Sequence, residues 1–465
     1  MAADTGNMKS PGATAVSPPF SELLAREKRP LEFALTQDGD YTPKTKTVPF
    51  RYYTDPEIAK LEMEHIWKKS WQMVGREEDI PEVGDRRPYD VGDLSYLIIR
   101  SAPGEFRALQ NACLHRGTRL CHGPTSAPTI KCPYHAWEWN PDGSLKNIPS
   151  RWDFPDVTDA EYRLPEAKTG SWGGYLFINP DPDAEPLENF LGVMKEHFTD
   201  REAKARWTWS VFRKKLRANW KQAQEAFLEA YHVIETHAQI AHYNADTTAQ
   251  YDIWDDGKAH ISRSITASAV PSGHLGDDAS LKLAAEDSMK MFALATPGIE
   301  LPEITAGESG RAEVAEFRRK TYGPMFGRDF ANNSDAYMLD AIQYFMFPNF
   351  FPWWGEGLPI SYQFLPYGSD PNECSVEIRF LLPVADGAPT PHSAETIEID
   401  FDEPLSKAGM GYITTVFEQD FSNVPLVQIG LRSARDPNAF VTLARYQENR
   451  IAAFYDLFEK KLGLA

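Results

Sequence analysis

Apolar positions in this chain change period several times, and each change marks a different kind of element. Ile58, Leu61, Met63, Ile66 and Trp67 recur at roughly helical spacing behind Thr54, Asp55 and Pro56, a cap and a first-turn proline, so a helix is expected there. From Trp71 to Asn179 the pattern breaks into short apolar runs between turns: Leu94 to Ile99, Phe106 to Gln110, Trp137 to Asn140 and Tyr175 to Ile178. These predict an antiparallel β domain, with Pro180-Asp181-Pro182-Asp183 as the linker out of it. Trp220, Ala223, Phe227, Ala230, Tyr231 and Ile234 return to steps of about three and four, which predicts a helix from about 217 to 234 with one buried face. Ile360 to Phe364 and Cys374 to Leu382 carry the β-branched and aromatic residues of strands. Residues 1–45 show no sustained period and read as an extended arm rich in Pro, Ser, Thr and Gly. Residues 250–335, acidic and punctuated by Gly and Pro, read as a long exposed insertion, with a mobile cover over a site as the other reading. The expected organisation is an arm (1–45), a β domain with its preceding helix (46–185) and a larger second domain (186–465).

Composition narrows the class. At 465 residues the chain exceeds one ordinary domain. No run of about 18 uncharged apolar residues occurs, which argues against a membrane span, and the N-terminus shows no apolar signal core. The net charge of -19 argues against nucleic acid as a partner, since phosphate binding needs a basic face. Only four cysteines are present, at 113, 121, 132 and 374. That count opposes a disulfide framework and implies the cytoplasm.

Two of those cysteines belong to a pattern. Cys113-x-His115 and Cys132-x-x-His135, with residues 116–131 between them, place one thiolate and one imidazole on each of two loop tips. This is the ligand spacing of a Rieske 2Fe-2S cluster, in which two histidines replace two thiolates on one iron. A tetrahedral zinc site is the alternative, but the single-residue spacer of the first pair is tighter than zinc sites use. Arg116 and Arg119 are placed to hydrogen-bond around the cluster, and Cys121 reads as a small buried hydrophobe.

A second constellation lies on the 217–234 segment. Glu229 and His232 are three apart on one helix face, and His237 follows five residues later. Two histidines and a distant carboxylate make a facial site for ferrous iron with open positions. From the residues alone, His237/His242 competes with His232/His237 as the pair, and Glu418, Asp420 and Glu225 compete as the carboxylate.

Taken together, Cys113-Leu-His115-Arg116-Gly117, Cys132-Pro-Tyr-His135-Ala-Trp137, Asn219-Trp220-Lys221, Glu229-Ala-Tyr231-His232, His237, Glu418-Gln-Asp420 and Gln428 resemble the Rieske non-heme iron oxygenases, specifically the large (alpha) subunit of aromatic-ring-hydroxylating oxygenases. The resemblance covers most of residues 50 to 440. It implies an α+β fold: an antiparallel β Rieske domain, and a catalytic domain in which a curved antiparallel sheet wraps a long helix. It implies His232, His237 and Asp420 as ligands of one mononuclear Fe(II). It also gives Glu229 a catalytic part, bridging the cluster histidine of one subunit to the iron histidine of the next in a homotrimer, with or without a small beta subunit. Glu225-Ala226 departs from the acid-asparagine pair of many relatives.

The implied activity is that of a terminal oxygenase using O2 to hydroxylate an aromatic or similarly hydrophobic compound. No Gly-rich dinucleotide fingerprint occurs, so electrons from NAD(P)H are expected through a separate reductase, with or without a ferredoxin. Phe227, Val233, Phe347 and Asn349 are the candidate pocket residues, in or beside strongly aromatic stretches that equally suit ordinary core. A Rieske monooxygenase removing methyl groups from oxygen or nitrogen shares every ligand. A mere electron carrier has no need of the iron trio, and a di-iron bundle lacks its second Glu-x-x-His.

Overall fold

The computed structural model describes residues 11–255, 260–295, 299–305 and 310–465. The first expected helix forms at Pro56–Glu62, capped by Asp55, whose side chain accepts from the Glu57 N–H at 2.9 Å. Beyond it, a seven-stranded sheet runs in the spatial order Gln72–Arg76, Tyr175–Asn179, Glu166–Trp172, Glu105–Gln110, Leu94–Ala102, Asp85–Val91, Thr125–Ser126. A small three-stranded sheet of Ile130–Lys131, Glu138–Trp139 and Leu145–Asn147 sits beside it. Together they form the cluster-bearing β domain.

The second domain is built on an eight-stranded sheet in the order Gln250–Asp255, His260–Thr266, Ala341–Met346, Phe350–Trp354, Ile360–Pro366, Cys374–Pro383, Arg206–Leu216, Thr396–Ile399. All pairings are antiparallel except the last, where Thr396–Ile399 lies parallel to Arg206–Leu216. Alternation along the strands gives the sheet two jobs. Tyr362 and Phe380 point to the Tyr412–Ser433 helix, where they meet Phe417 at ring separations of 5.9 and 6.3 Å. Phe350 points the other way and packs edge-on against Tyr175 of the cluster domain at 4.9 Å.

Charge crosses that same interface. Asp79 of the cluster domain meets Arg87 at 2.6 Å and Arg379 of the catalytic sheet at 2.9 Å. Glu377 continues the row to Arg379 at 2.7 Å and Arg213 at 2.6 Å.

Four expectations need correction. The 217–234 helix is interrupted: Trp220–Glu225 and Val233–Thr236 are helical, with turns between. The Glu229 carboxylate accepts from the Tyr231 and His232 backbone N–H groups, competing with the helical ladder, and Tyr231 is left half exposed. Residues 250–335 are not simply an exposed insertion, because Gln250–Asp255 and His260–Thr266 are strands of the main sheet. The described part of the arm is packed rather than merely extended: Phe20, Leu23, Ala34 and Leu35 are buried. Glu27 accepts from the Asp335 and Ala336 N–H groups, and Arg263 donates to the Ala34 and Gln37 carbonyls. Residues 46–49, expected with the cluster domain, pair antiparallel with Phe440–Leu443 near the C-terminus.

The Trp220–Glu225 helix carries one unusual acid. Glu225 accepts from the Tyr53 hydroxyl at 3.3 Å and the Tyr455 hydroxyl at 2.5 Å. Burial outweighs these donors and pushes its carboxyl up to about 7. A carboxyl whose folded pKa exceeds its unfolded one adds stability that is full below about pH 4.5 and lost by about pH 7. Glu225→Gln keeps a neutral acceptor, so urea titrations at pH 5 and pH 8 should show the wild type losing up to ~3 kcal/mol more than the variant. An equal loss in both contradicts the assignment.

Candidate metal centres

The two cluster loops are built alike. In the first, the Cys113 N–H donates to the Thr118 carbonyl at 2.8 Å and the Gly117 N–H donates back to Cys113 O at 2.8 Å. In the second, the Cys132 N–H donates to Trp137 O at 2.8 Å and the Ala136 N–H to Cys132 O at 3.1 Å. Each turn needs a left-handed residue four places after its cysteine, Gly117 at φ 75° and Ala136 at φ 58°. The tips bring the His115 and His135 rings to 4.8 Å, with Trp137 stacked parallel to His115 at 5.1 Å and Tyr134 over His135 at 3.8 Å.

Cys113 and Cys132 supply two thiolates, and His115 and His135, with rings 4.8 Å apart, supply two imidazoles, the donor set of a Rieske two-iron cluster. His115 Nδ1 is buried without a hydrogen-bond partner, as a nitrogen reserved for metal is. Burial raises the Cys113 thiol; it also opposes ionisation of Cys132, but the His135 and Tyr134 N–H groups prevail and hold that thiol below its usual range. Arg119 is held by Asp90 at 2.8 Å and the Cys121 carbonyl at 2.9 Å, and Arg116 reaches the Tyr134 hydroxyl. Cys121 is a buried free thiol donating to Gly123 O at 3.1 Å.

The trio of His232, His237 and Asp420 depends on locking one helix start against the long helix. Asn219 caps Trp220–Glu225 by accepting from the Lys221 N–H at 3.0 Å, and its own N–H donates to Gln428 of the Tyr412–Ser433 helix at 3.0 Å. The turn that follows delivers both histidines to Asp420. His237 Nε2 lies 2.9 Å and His232 Nε2 3.4 Å from Asp420 Oδ1. His242 is outside this trio, Glu418 instead accepts from the Leu405 N–H, and Glu225 lies with the two tyrosines.

Each histidine is oriented by its other nitrogen, as metal-ligating imidazoles are. His232 Nδ1 meets Glu229 Oε1 at 2.5 Å, and His237 Nδ1 meets Gln419 Oε1 at 2.8 Å, with Gln239 donating to the same oxygen at 2.7 Å. Burial disfavours charge on His232, yet Glu229 and Asp420 hold its pKa up to about 10, so a divalent metal at this trio would displace a proton. Burial also opposes ionisation of Asp420, but the two imidazoles outweigh it and lower its carboxyl. Gln419 and Gln239 were missed from sequence; adjacency of Gln419 to Asp420 was the one available signal. Gln419→Leu frees the His237 ring and should weaken metal binding ~10–100-fold with Rieske absorption unchanged, measured by anaerobic Fe(II) competition.

Of the candidate pocket residues, Phe227 is buried among Tyr362, Phe364, Phe417 and Phe421 at 5.1–6.4 Å. Val233 packs with Ala230 and Ala241 beside the histidines. Phe347 instead meets Phe454 of the C-terminal helix at 5.7 Å, and Asn349 donates to the Phe364 carbonyl at 2.8 Å.

Comparison with known proteins agrees with this geometry. The family described as ring hydroxylating alpha subunit (catalytic domain) matches residues 198–463. The chain belongs to this family. A Rieske [2Fe-2S] domain matches residues 70–157. This alpha-subunit family member is 33% identical over 193 residues to the chlorobenzene dioxygenase alpha subunit of Cupriavidus sp. (strain PS12), covering 40% of this chain and 43% of that one. It is 29% identical over 215 residues to the carnitine monooxygenase oxygenase subunit of Escherichia coli K12, covering 44% and 56%. The matches thus span about half the length of these relatives. In fold it resembles naphthalene 1,2-dioxygenase from Rhodococcus sp. (TM-score 0.60, 21% identity, 90% of this chain and 94% of that one). It also resembles the quaternary ammonium Rieske monooxygenase CntA (TM-score 0.60, 19% identity, 94% and 99%). Among the described residues, no helix is long and apolar enough to cross a membrane.

Proposed function

We propose that this chain is a terminal oxygenase that hydroxylates an aromatic or similarly hydrophobic compound with O2. The observation that carries the reading is the convergence of His232, His237 and Asp420 on one point, each imidazole fixed by a separate partner. When bound, an iron held there would supply dioxygen activation, and a Rieske cluster on Cys113, His115, Cys132 and His135 would supply electrons one at a time.

The chain's own residues do the rest. Glu229 and Gln419 keep the two Nε2 atoms turned inward. Phe227, Phe364, Phe417 and Phe421 exclude water and offer apolar faces to a flat ring. Electrons come through a separate reductase, with or without a ferredoxin. Tyr134 beside His135 and Tyr231 beside Glu229 are 57% and 48% exposed, which suits a cluster tip docking against the iron site of a second copy in a homotrimer.

One observation favours a second reading, oxidative removal of a methyl group from a quaternary amine. Tyr362 faces Phe227 at 5.1 Å, Phe417 at 5.9 Å and Trp353 at 5.9 Å, and such ring faces also attract cations. The test is to load the protein anaerobically with iron, supply reductase and NADH, and offer monocyclic and bicyclic aromatics beside trimethylammonium compounds under 18O2. Labelled ring-hydroxylated product supports the first reading, and formaldehyde release the second. No oxygen uptake with any compound overturns both.

A further inference from the structure

Interrupting the Trp220–Glu225 helix exposes a problem that one residue solves. Past the break, the Phe227 and Leu228 N–H groups donate to the Gln224 and Glu225 carbonyls, both at 2.9 Å, and the next carbonyls leave the helical ladder. Leu228 is fully buried and directly precedes Glu229. A buried carbonyl needs a donor, and here it is Arg450 Nη1, at 3.3 Å.

Arg450 is itself anomalous. It lies in the first turn of the Asn449–Leu462 helix, fully buried, and among the described residues no carboxylate pairs with it. Burying an unpaired guanidinium is costly, and burial pulls its pKa down to about 9. Its remaining bonds all go to neutral acceptors: Ser262 Oγ at 3.0 Å, Ser264 Oγ at 2.9 Å and Gln343 Oε1 at 3.0 Å. Ser262 and Ser264 are two apart on one strand, hence on one face, and Ser264 pairs with Gln343 in the neighbouring strand. The guanidinium therefore joins sheet to loop through one edge: Nε and Nη1 hold the sheet acceptors, and Nη1 also donates to the Leu228 carbonyl at the start of the loop of Glu229 and His232, while Nη2 has no partner among the described residues.

We propose that Arg450 is a positioning residue for the iron site, anchoring the 226–232 loop to the sheet so that Glu229 and His232 are held in register with His237 and Asp420. This rests on the iron-site reading above. A planar fork suits the task because it donates in several fixed directions at once, which a lysine ammonium on a flexible stem does not.

The test uses the full chain with its cluster intact, the mononuclear metal removed, and Co(II) as probe. Wild type should take up one Co(II), lost in Asp420→Ala. Arg450→Met should bind Co(II) at least ~10-fold more weakly and shift the visible d–d bands, with cluster absorption unchanged, and Arg450→Lys should fall between. If Arg450→Met does not accumulate folded, Ser262→Ala/Ser264→Ala decides, because it strips two sheet-side acceptors while keeping the arginine; a several-fold loss is expected. Wild-type affinity and spectrum in Arg450→Met, or in the double serine variant where it must decide, overturns the proposal. If wild type takes up no Co(II) that Asp420→Ala abolishes, the iron-site reading fails and this one with it.

Discussion

Asp420→Ala should yield a folded protein that keeps the electron paramagnetic resonance signal of its reduced Rieske cluster but retains no mononuclear iron and turns over no substrate. The carboxylate is the one anion on which both Nε2 atoms converge, at 2.9 and 3.4 Å. Without it two neutral imidazoles remain, a set that no longer makes the two-histidine, one-carboxylate face ferrous iron uses. Loss of an orienting partner alone costs ~10–100-fold in metal affinity, so loss of a ligand should exceed that. Glu418→Ala is the matched control: two residues away on the same helix, its side chain accepts from the Leu405 N–H at 2.8 Å. Iron content after anaerobic loading separates the two, and iron kept by Asp420→Ala but lost by Glu418→Ala would sink the assignment.

The second large effect is on stability. Asp79→Ala removes one of the two carboxylates at the domain interface and leaves Arg87 and buried Arg379 to share Glu377 with Arg213. Breaking a buried pair from one side costs about 3–5 kcal/mol, which in a chain of 465 residues should lower the thermal midpoint by roughly 3–5 °C in scanning calorimetry at pH 7. The pH dependence has a definite sign. Burial opposes ionisation of Asp79 and Glu377, but the surrounding arginines outweigh it, holding Asp79 well below the carboxylate range and Glu377 down to about 2. Such groups add stability above their unfolded pKa values near 4 and lose it as pH falls through the folded ones. Wild type should therefore lose more stability than the variant between pH 4 and pH 2, and parallel curves would contradict the network's role.

What the sequence made legible tracks how local each signal is. The Asp55 cap and the alternating runs of the cluster domain are near-neighbour patterns, and they appear where expected. The 217–234 stripe misled because Phe227 and Ala230 are buried at helical spacing although the chain between them turns. The strands at 250–266 were hidden for the opposite reason. Asp252 and Arg263 sit at inward positions as a buried pair at 2.5 Å, so a polar residue there looks like surface until its partner is known. The arm has no period because its contacts are mostly with other elements: Glu27 and Glu32 serve the backbone and Ser334 around the start of the Asp335–Leu339 helix. Gln419 and Arg450 act through atoms distant in sequence, and residue type alone does not announce them.

The strand Lys46–Pro49, paired with Phe440–Leu443, leads into the cluster domain, and Tyr175–Asn179 leads out of it toward Arg206–Leu216 of the main sheet. The domain is thus spliced into the catalytic body at both of its ends, like a bead on a closed loop of thread. A module on one tether can swing about it; this one is held at both ends, which ties its position to that of the main sheet.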